Sequence, residues 1–197
     1  LHNNRHSFPT RRSSDLTSAD GIDAALVRFG DDDGPLRAEL VAAHTHPWDP
    51  DVRARLVWLG QGGALDSLDE LGELDAQVGE AFAQAALAVL AGAGVAATDV
   101  AAIGSHGQTV RHRPYARHAF TMQIGEPNTI AVGVGIPIVA DFRRRDMALG
   151  GQGAPLAPAL HDHWFRHPQR TRVVLNGGGI ANITALIPGQ PTYGFDT

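Results

Sequence analysis

The chain has 197 residues, 43% of them hydrophobic, so it can bury a substantial core in one large domain or two small lobes. Its 16 Lys and Arg residues against 21 Asp and Glu residues give a net charge of −5, which does not indicate nucleic acid or an anionic membrane as a partner. The absence of cysteine excludes disulfides and thiolate zinc sites, and no apolar run approaches the roughly 20 residues that span a bilayer, so we expect a cytoplasmic protein.

Apolar segments and turn formers alternate along the chain, which predicts an α/β fold. The first strand is predicted over residues 22–30, followed by the loop DDDGP and a partner strand in LRAELVAAHTHPW. From Ser67 to Gly92, apolar residues recur at spacings of three and four, which predicts one long amphipathic helix with Ser67 as its N-cap. VAAIGSHGQTV, FTMQIG and IPIVADF are further strand candidates, EPNTIAVGVG is a predicted helix, and TRVVLNGGGIANITALI is a predicted strand, glycine turn and strand.

Two turns have the composition of phosphate-binding loops. Residues 17–23 (TSADGID) combine hydroxyls, carboxylates and a glycine, which suit phosphate oxygens and a magnesium ion, although such a pattern alone is more often a plain polar hairpin. Residues 175–182 (LNGGGIAN) place glycines, which allow close approach of a ligand, between two asparagines. The occurrence of both turns in one chain is more informative than either.

Three other stretches carry polar chemistry with competing interpretations. GSHGQT follows a strand and favours ligand contact over a Ser-His hydrolase site, because no G-x-S-x-G elbow occurs. ADFRRRDMALGGQGAP is either a self-paired charged surface or a guanidinium fork for a carboxylate or phosphate. HDHWFRH could supply metal ligands through His163 and His167, but without a clear third ligand we predict no protein metal site and favour a surface helix end.

Taken in order, TSADGIDAAL, IGSHGQTVRHRP, TMQIGEPNTIA, VADFRRRDMALGGQGAPLAPALH, VVLNGGGIANIT and GFDT resemble the anhydro-N-acetylmuramic acid kinases from Thr17 onward. The resemblance implies a ribonuclease-H-like, actin-like ATPase fold with two lobes that close over ATP and Mg²⁺. It further implies that residues 17–148 form the first lobe and that residues 149–197 begin the second. The implied partners are ATP and an anhydro amino sugar, and a homodimer is left open for the full-length protein.

The resemblance also implies a reaction and its residues. Water opens the 1,6-anhydro bridge of the sugar, and the freed O6 takes the γ-phosphoryl group of ATP. Asp196 matches the family's catalytic aspartate. The residues implied to line the two phosphate turns are Thr17, Ser18, Asp20, Gly21, Asp23, Asn176, Gly178, Gly179 and Asn182. Those implied to face the sugar are Gln108, Thr109, Arg144, Arg145 and Asp146, and which arginine reaches the sugar's carboxylate is left open.

Three departures from the family pattern limit the resemblance. Leu16 stands where the family has a glycine, Gly177 replaces an isoleucine, and the motif GPGN expected after Thr197 is not reached. We therefore expect the 197-residue chain to lack kinase activity by itself. A non-catalytic sugar-binding relative, or a kinase or phosphatase of the same superfamily with another substrate, remain the alternative interpretations.

Residues 7–16 (SFPTRRSSDL) have an explanation of their own. Arg-Arg-Ser-Ser would suit a phosphorylation site, but TCT TTC CCT ACA CGA CGC TCT TCC GAT CT, which resembles a common sequencing adapter, translates to the same ten residues. We expect residues 1–16 to be non-native and functionless, and Leu16 to have overwritten the family's glycine.

Overall fold

The computed structural model describes residues 19–30, 37–177 and 181–196, and these residues form a mixed α/β fold as predicted. In chain order the elements are β1 (Ile22–Phe29), β2 (Ala38–His46), α1 (Pro50–Gly60), α2 (Leu68–Ala93), β3 (Ile103–Ser105), β4 (Gln108–Arg113), β5 (Phe120–Ile124), α3 (Pro127–Val134), β6 (Ile138–Ala140), α4 (Phe142–Ala148), α5 (Pro158–Phe165), β7 (Arg172–Asn176), β8 (Asn182–Leu186) and β9 (Tyr193–Asp196).

Helix α2 is the predicted amphipathic helix, and its ends are set by local chemistry. The Ser67 hydroxyl accepts a hydrogen bond from the Glu70 backbone N–H at 3.1 Å, which satisfies one of the free donors of the first turn. Gly94, with φ of 65°, ends the helix in the left-handed conformation. Leu74 and Val78 on its inner face are fully buried. The prediction of this helix is therefore confirmed.

The core lies on both sides of α2. One cluster joins α2 to β1 and α1, with Ile22 and Leu56 among its buried residues, and the other joins α2 to α3 through Ile130. Helix α2 approaches the start of α3 closely at Gly79, where a β-carbon would lie 2.9 Å from the Glu126 carbonyl oxygen. A side chain at this position would push the helix away from its neighbour.

The strands pair in four groups. Strands β1 and β2 form an antiparallel hairpin, as do β4 and β5, while β3 and β6 are parallel. Strands β7, β8 and β9 form an antiparallel sheet with β8 at its centre. The two strands predicted around the second glycine turn are thus confirmed as β7 and β8.

Helix α1 was not predicted, although its N-terminus carries a clear signal. The Asp49 carboxylate accepts from the Asp51 and Val52 backbone N–H groups at 2.9 and 3.2 Å, and Pro50 occupies the first turn. The helix end depends on distant chemistry, because the Arg111 guanidinium of β4 donates to the Leu59 carbonyl. With few buried residues, α1 has no long apolar stripe to mark it.

Helix α2 also meets the length and hydropathy expected of a membrane span, with a mean hydropathy of 1.2 over its most apolar window. The sequence prediction, which found no run of that kind, missed this. About a third of that window is buried, and the helix packs against β1, β2, β5 and α3. A core helix passes the same test, so the finding is weak evidence for a membrane location.

Candidate active site

A cavity of about 460 Å³ is lined by β1, β3, α2 and the loop that joins β3 to β4. We call it the cleft. Most of its lining is apolar, as at Leu26 and Phe82, and its polar lining includes Asp23, His106 and Gln108. The structure therefore brings the first phosphate-type turn and the GSHGQT loop, which are far apart in the sequence, to one cavity. A mainly apolar cavity with a few convergent polar groups is typical of a ligand site.

The start of β1 packs closely against β2. A β-carbon on Gly21 would lie 2.6 Å from Cγ2 of Thr45, so a side chain there would have to displace Thr45. The Thr45 hydroxyl donates a hydrogen bond to Oδ1 of Asp23 at 2.7 Å and so restrains the carboxylate at the cleft. Gly21 and Asp23, both predicted site residues, therefore share one cavity with the GSHGQT loop.

Arg53 of α1 contacts the backbone and side chain of the residues just before β1. Its Nε donates to the carbonyl oxygen of the buried Ala19 at 2.7 Å, and its guanidinium lies 3.9 Å from the exposed Asp20 carboxylate. The bond to the carbonyl is the stronger contact, since an ion pair that is mostly in water contributes little. Arg53 was not predicted, because 34 residues separate it from Ala19.

The GSHGQT loop depends on Gly107. Its φ of 73° lies in the left-handed region, and a β-carbon would meet the Ile124 carbonyl oxygen at 2.9 Å. This conformation directs the loop along the cleft, where His106 Nδ1 lies 2.8 Å from the Gly107 carbonyl oxygen. Partial burial, and then the charge of Arg143, lower the pKa of His106 more than the Gly107 carbonyl raises it.

The three consecutive arginines of α4 occupy different environments. Arg143 is half-buried, and its Nε donates to Nε2 of His106 at 2.7 Å. Arg144 and Arg145 are exposed, and Arg144 pairs with Asp141 at 2.9 Å. The structure thus connects Arg143 to the cleft, although Arg144 and Arg145 were the arginines predicted to face the sugar.

Asp146 organises the glycine loop that follows α4. Its Oδ2 accepts from the Gly153 backbone N–H at 2.7 Å, and its backbone carbonyl accepts from Gly151 at 2.9 Å. The loop then reaches β9, since a β-carbon on Gly194 would collide with Pro158 and lie 3.3 Å from Pro155. The segment that begins with ADFRRRD and ends with GGQGAP therefore packs against the strand that carries Asp196.

Asn176, Asn182 and Asp196 lie at one end of the β7–β8–β9 sheet. Asn176 is the register partner of Asn182, and Asn182 is the register partner of Asp196. Directly opposite residues of antiparallel strands share a face, so these three positions form one row across the sheet. Three predicted site positions are thus adjacent.

Comparison with known proteins identifies a family for this sequence. The family model described as anhydro-N-acetylmuramic acid kinase matches residues 14–197. The chain belongs to the anhydro-N-acetylmuramic acid kinase family.

Curated relatives with that name support the assignment. A protein of Xanthomonas campestris pv. campestris (strain 8004) is 54% identical over 198 residues, which cover 97% of this chain and 52% of the relative. One from Xanthomonas axonopodis pv. citri is 56% identical over 92% of this chain and 48% of its own length, and one from Coxiella burnetii (strain Dugway 5J108-111) is 50% identical over 92% and 47%. The chain spans about half the length of these relatives.

The other residues predicted from the anhydro-N-acetylmuramic acid kinase motifs lie in different environments. Thr109 is buried rather than at the cleft, and its hydroxyl accepts from the Gln123 side chain at 3.1 Å. Gln108 lines the cleft. Outside the described residues lie Thr17, Ser18, Gly178, Gly179 and the segment of residues 1–16.

The HDHWFRH stretch has structural partners. His161 Nδ1 lies 2.9 Å from the buried Thr184 hydroxyl, which joins α5 to β8. Asp162 is held by Arg166 at 2.5 Å and by the Thr192 hydroxyl, and these hydrogen bonds lower the pKa of Asp162 although desolvation opposes them. Within residues 19–30, 37–177 and 181–196, no group of three His, Asp or Glu side chains is arranged as a metal site.

Proposed function

We propose that this chain is part of an ATP-dependent kinase that converts 1,6-anhydro-N-acetylmuramic acid and water to N-acetylmuramic acid 6-phosphate. The observation that carries the proposal is the connection of four family motifs. The first turn and the GSHGQT loop share the cleft, His106 joins that loop to α4, and the glycine loop after α4 rests on β9. The names of the family and of the curated relatives supply the substrate.

The proposed chemistry assigns the proton transfer to Asp196. Its carboxylate takes a proton from water as the water oxygen bonds to the anomeric carbon, and the bond from that carbon to O6 breaks. The freed O6 then bonds to the γ-phosphorus of ATP, and the bond from that phosphorus to the leaving oxygen breaks to release ADP. The register of the sheet supports this assignment, because Asn182 is the strand partner of both Asn176 and Asp196.

We propose that ATP and Mg²⁺ bind at the start of β1. Gly21 and Asp23 line the cleft, and the carboxylates of Asp20 and Asp23 are oxygen ligands of the kind Mg²⁺ prefers, directly or through water. When bound, the ion neutralises charge on the phosphate oxygens. Thr45 restrains Asp23, and Arg53 restrains the backbone of the turn. Asn176, Gly178, Gly179 and Asn182 are proposed to line the second phosphate turn.

The finer architecture is part of the same proposal. Residues 17–148 would form the first lobe of a ribonuclease-H-like pair, and residues 149–197 would begin the second, with β7, β8 and β9 as its first strands. The repetition of a strand, turn and strand supports this division. We propose a cytoplasmic enzyme whose partners are the sugar and ATP, with residues 1–16 foreign to it.

The experiment completes the chain with the remaining part of the Xanthomonas campestris relative and measures ADP release with the anhydro sugar. The completed protein should phosphorylate the sugar, and Asp196→Asn should bind ATP but lose turnover by roughly three orders of magnitude or more. Asp99→Asn, a change at an exposed aspartate distant in sequence from the motifs, is the matched control.

The full-length relative, assayed in parallel, verifies the assay. A folded completed protein without sugar phosphorylation would refute the proposed function. Near-normal turnover of Asp196→Asn would remove Asp196 as the base while leaving the kinase assignment intact.

A further inference from the structure

We propose that Arg143 is the arginine that recognises the carboxylate of the sugar's lactyl group, and that His106 is a positioning residue for it. This inference rests on the proposed function and deepens it. It selects one of three adjacent arginines that the sequence cannot distinguish.

The first argument is the environment of the three guanidinium groups. Arg143 is half-buried and donates to a side chain of the cleft, whereas Arg144 is exposed and already paired with the neighbouring Asp141. Arg145 is exposed as well. An ion pair between an exposed guanidinium and a carboxylate contributes little free energy of binding. A half-buried guanidinium that is already oriented loses less conformational entropy when it binds a carboxylate.

The second argument is the protonation of His106. A guanidinium keeps all its hydrogens, so Nε2 of His106, 2.7 Å from Nε of Arg143, must accept with its lone pair. Nδ1 therefore carries the proton, and its N–H donates a hydrogen bond to the Gly107 carbonyl oxygen, 2.8 Å away. Both nitrogens are engaged, and His106 is neutral. It orients Arg143 and is not placed to act as the acid or base.

The third argument is connectivity. Arg143 of helix α4 donates to His106, which lines the cleft, and Asp146 of the same helix holds the glycine loop that rests on Gly194 of β9. An anion bound by Arg143 would thus be held by the same helix that links the cleft to the strand of Asp196. The bond from Nε to His106 sets the orientation of the planar guanidinium, whose fork of N–H donors matches a carboxylate.

The test uses the completed protein and two sugars that differ in the lactyl group, 1,6-anhydro-N-acetylmuramic acid and 1,6-anhydro-N-acetylglucosamine. The ratio of their kcat/KM values measures recognition of the carboxylate within each variant. We expect a ratio of at least about 10 for the unchanged protein, because charge-assisted hydrogen bonds discriminate strongly. Arg143→Gln should reduce the ratio to near 1 through a higher KM for the acidic sugar, and Arg143→Lys should recover it in part.

Arg117→Gln, at an exposed loop arginine, is the matched control and should keep the ratio. His106→Gln should lower the ratio less than Arg143→Gln does. Nitrogen-15 NMR of the unchanged chain should show the neutral Nδ1–H form of His106 at pH 7, and its loss in Arg143→Gln.

The outcomes separate this inference from the proposed function. A completed protein that phosphorylates neither sugar refutes the function, and the inference falls with it. A completed protein that phosphorylates both sugars equally well overturns the inference alone. The inference is also overturned if Arg143→Gln keeps the ratio of kcat/KM values. Loss of the ratio in Arg144→Gln but not in Arg143→Gln would assign the role to Arg144 instead. Circular dichroism of each variant identifies any general loss of structure.

Discussion

Replacement of Gly107 by alanine should destabilise the protein more than the same replacement at Gly135. Both glycines are in the left-handed region, with φ of 73° and 77°. An L-residue pays roughly 1–2 kcal/mol for this conformation, so both variants share that cost. At Gly107 the new methyl group would also lie 2.9 Å from the Ile124 carbonyl oxygen and 3.0 Å from Cβ of Gln123, whereas nothing lies within 4 Å at Gly135.

The crowding at Gly107 sets the expected difference. Overpacking against well-fixed atoms costs about 1–3 kcal/mol, so Gly107→Ala should lower the free energy of unfolding by about 2–5 kcal/mol and Gly135→Ala by about 1–2 kcal/mol. For a chain of this size, each 1 kcal/mol lowers Tm by about 2–4 °C. Urea denaturation followed by circular dichroism measures both variants against the unchanged chain.

Equal losses of stability in the two alanine variants would refute this reasoning, because they would show that the loop relaxes without cost. A greater loss at Gly135 would refute it as well. If Gly107→Ala is as unstable as expected, its cleft loop should also be displaced, which changes in the NMR signals of His106 would report.

Three further predictions use different parts of the structure. Leu74→Ala should cost about 2–5 kcal/mol because Leu74 is fully buried in α2, whereas Leu87→Ala on the exposed side of the same helix should cost less than about 1 kcal/mol in the same urea titration. Glu126→Ala removes the N-cap of α3, whose carboxylate accepts from the Thr129 backbone N–H at 2.6 Å, and should cost about 1 kcal/mol near pH 7. Arg53→Gln should weaken binding of ATP analogues to the completed protein several-fold with little change in sugar KM, as fluorescence titration and initial rates will show, because it frees the turn before β1.

The pH dependence of the Glu126 prediction has a definite sign. Partial desolvation acts to raise the pKa of Glu126, but hydrogen bonds from Asn128 and Thr129 outweigh it, so the pKa in the folded state is lowered. Because the pKa of Glu126 is lower in the folded state than in the unfolded chain, the ionised carboxylate stabilises the fold at pH values above its unfolded pKa. This stabilisation is lost as the pH falls through the folded pKa. The difference between the unchanged chain and Glu126→Ala should therefore shrink below about pH 4. A difference that stays constant from pH 7 to pH 3 would contradict the carboxylate role.

Local patterns predicted those parts of the fold whose stability is local. Helix α2 was predicted from its apolar spacing and its Ser67 cap, and both are features of neighbouring residues. Helix α1 was missed despite its local Asp49 cap, because it has few buried residues and because the Arg111 donor at its end comes from another part of the chain. The second strand was predicted to reach Trp48, but β2 ends at His46, before a proline that cannot donate to the ladder.

The candidate site divides in the same way. The motifs identified the stretches, and the family match supports their identification, but the choice of side chain within each stretch depended on the fold. Thr109 and Arg144 were predicted to face the sugar, and the structure places the first in the interior and the second in an exposed ion pair. Arg53 and Arg143 could not have been selected from spacing, because their partners lie 34 and 37 residues away.

The amino-acid sequence by itself determined the α/β class, the family, the main helix and the glycine-bounded turns, since each depends on residue type and short-range order. Only the tertiary structure decided that His106 holds Arg143, that Asp146 holds the glycine loop and that the loop rests against Gly194. The physical reason is that hydrogen bonds and close packing act over a few ångströms, and the fold determines which distant side chains come within that range.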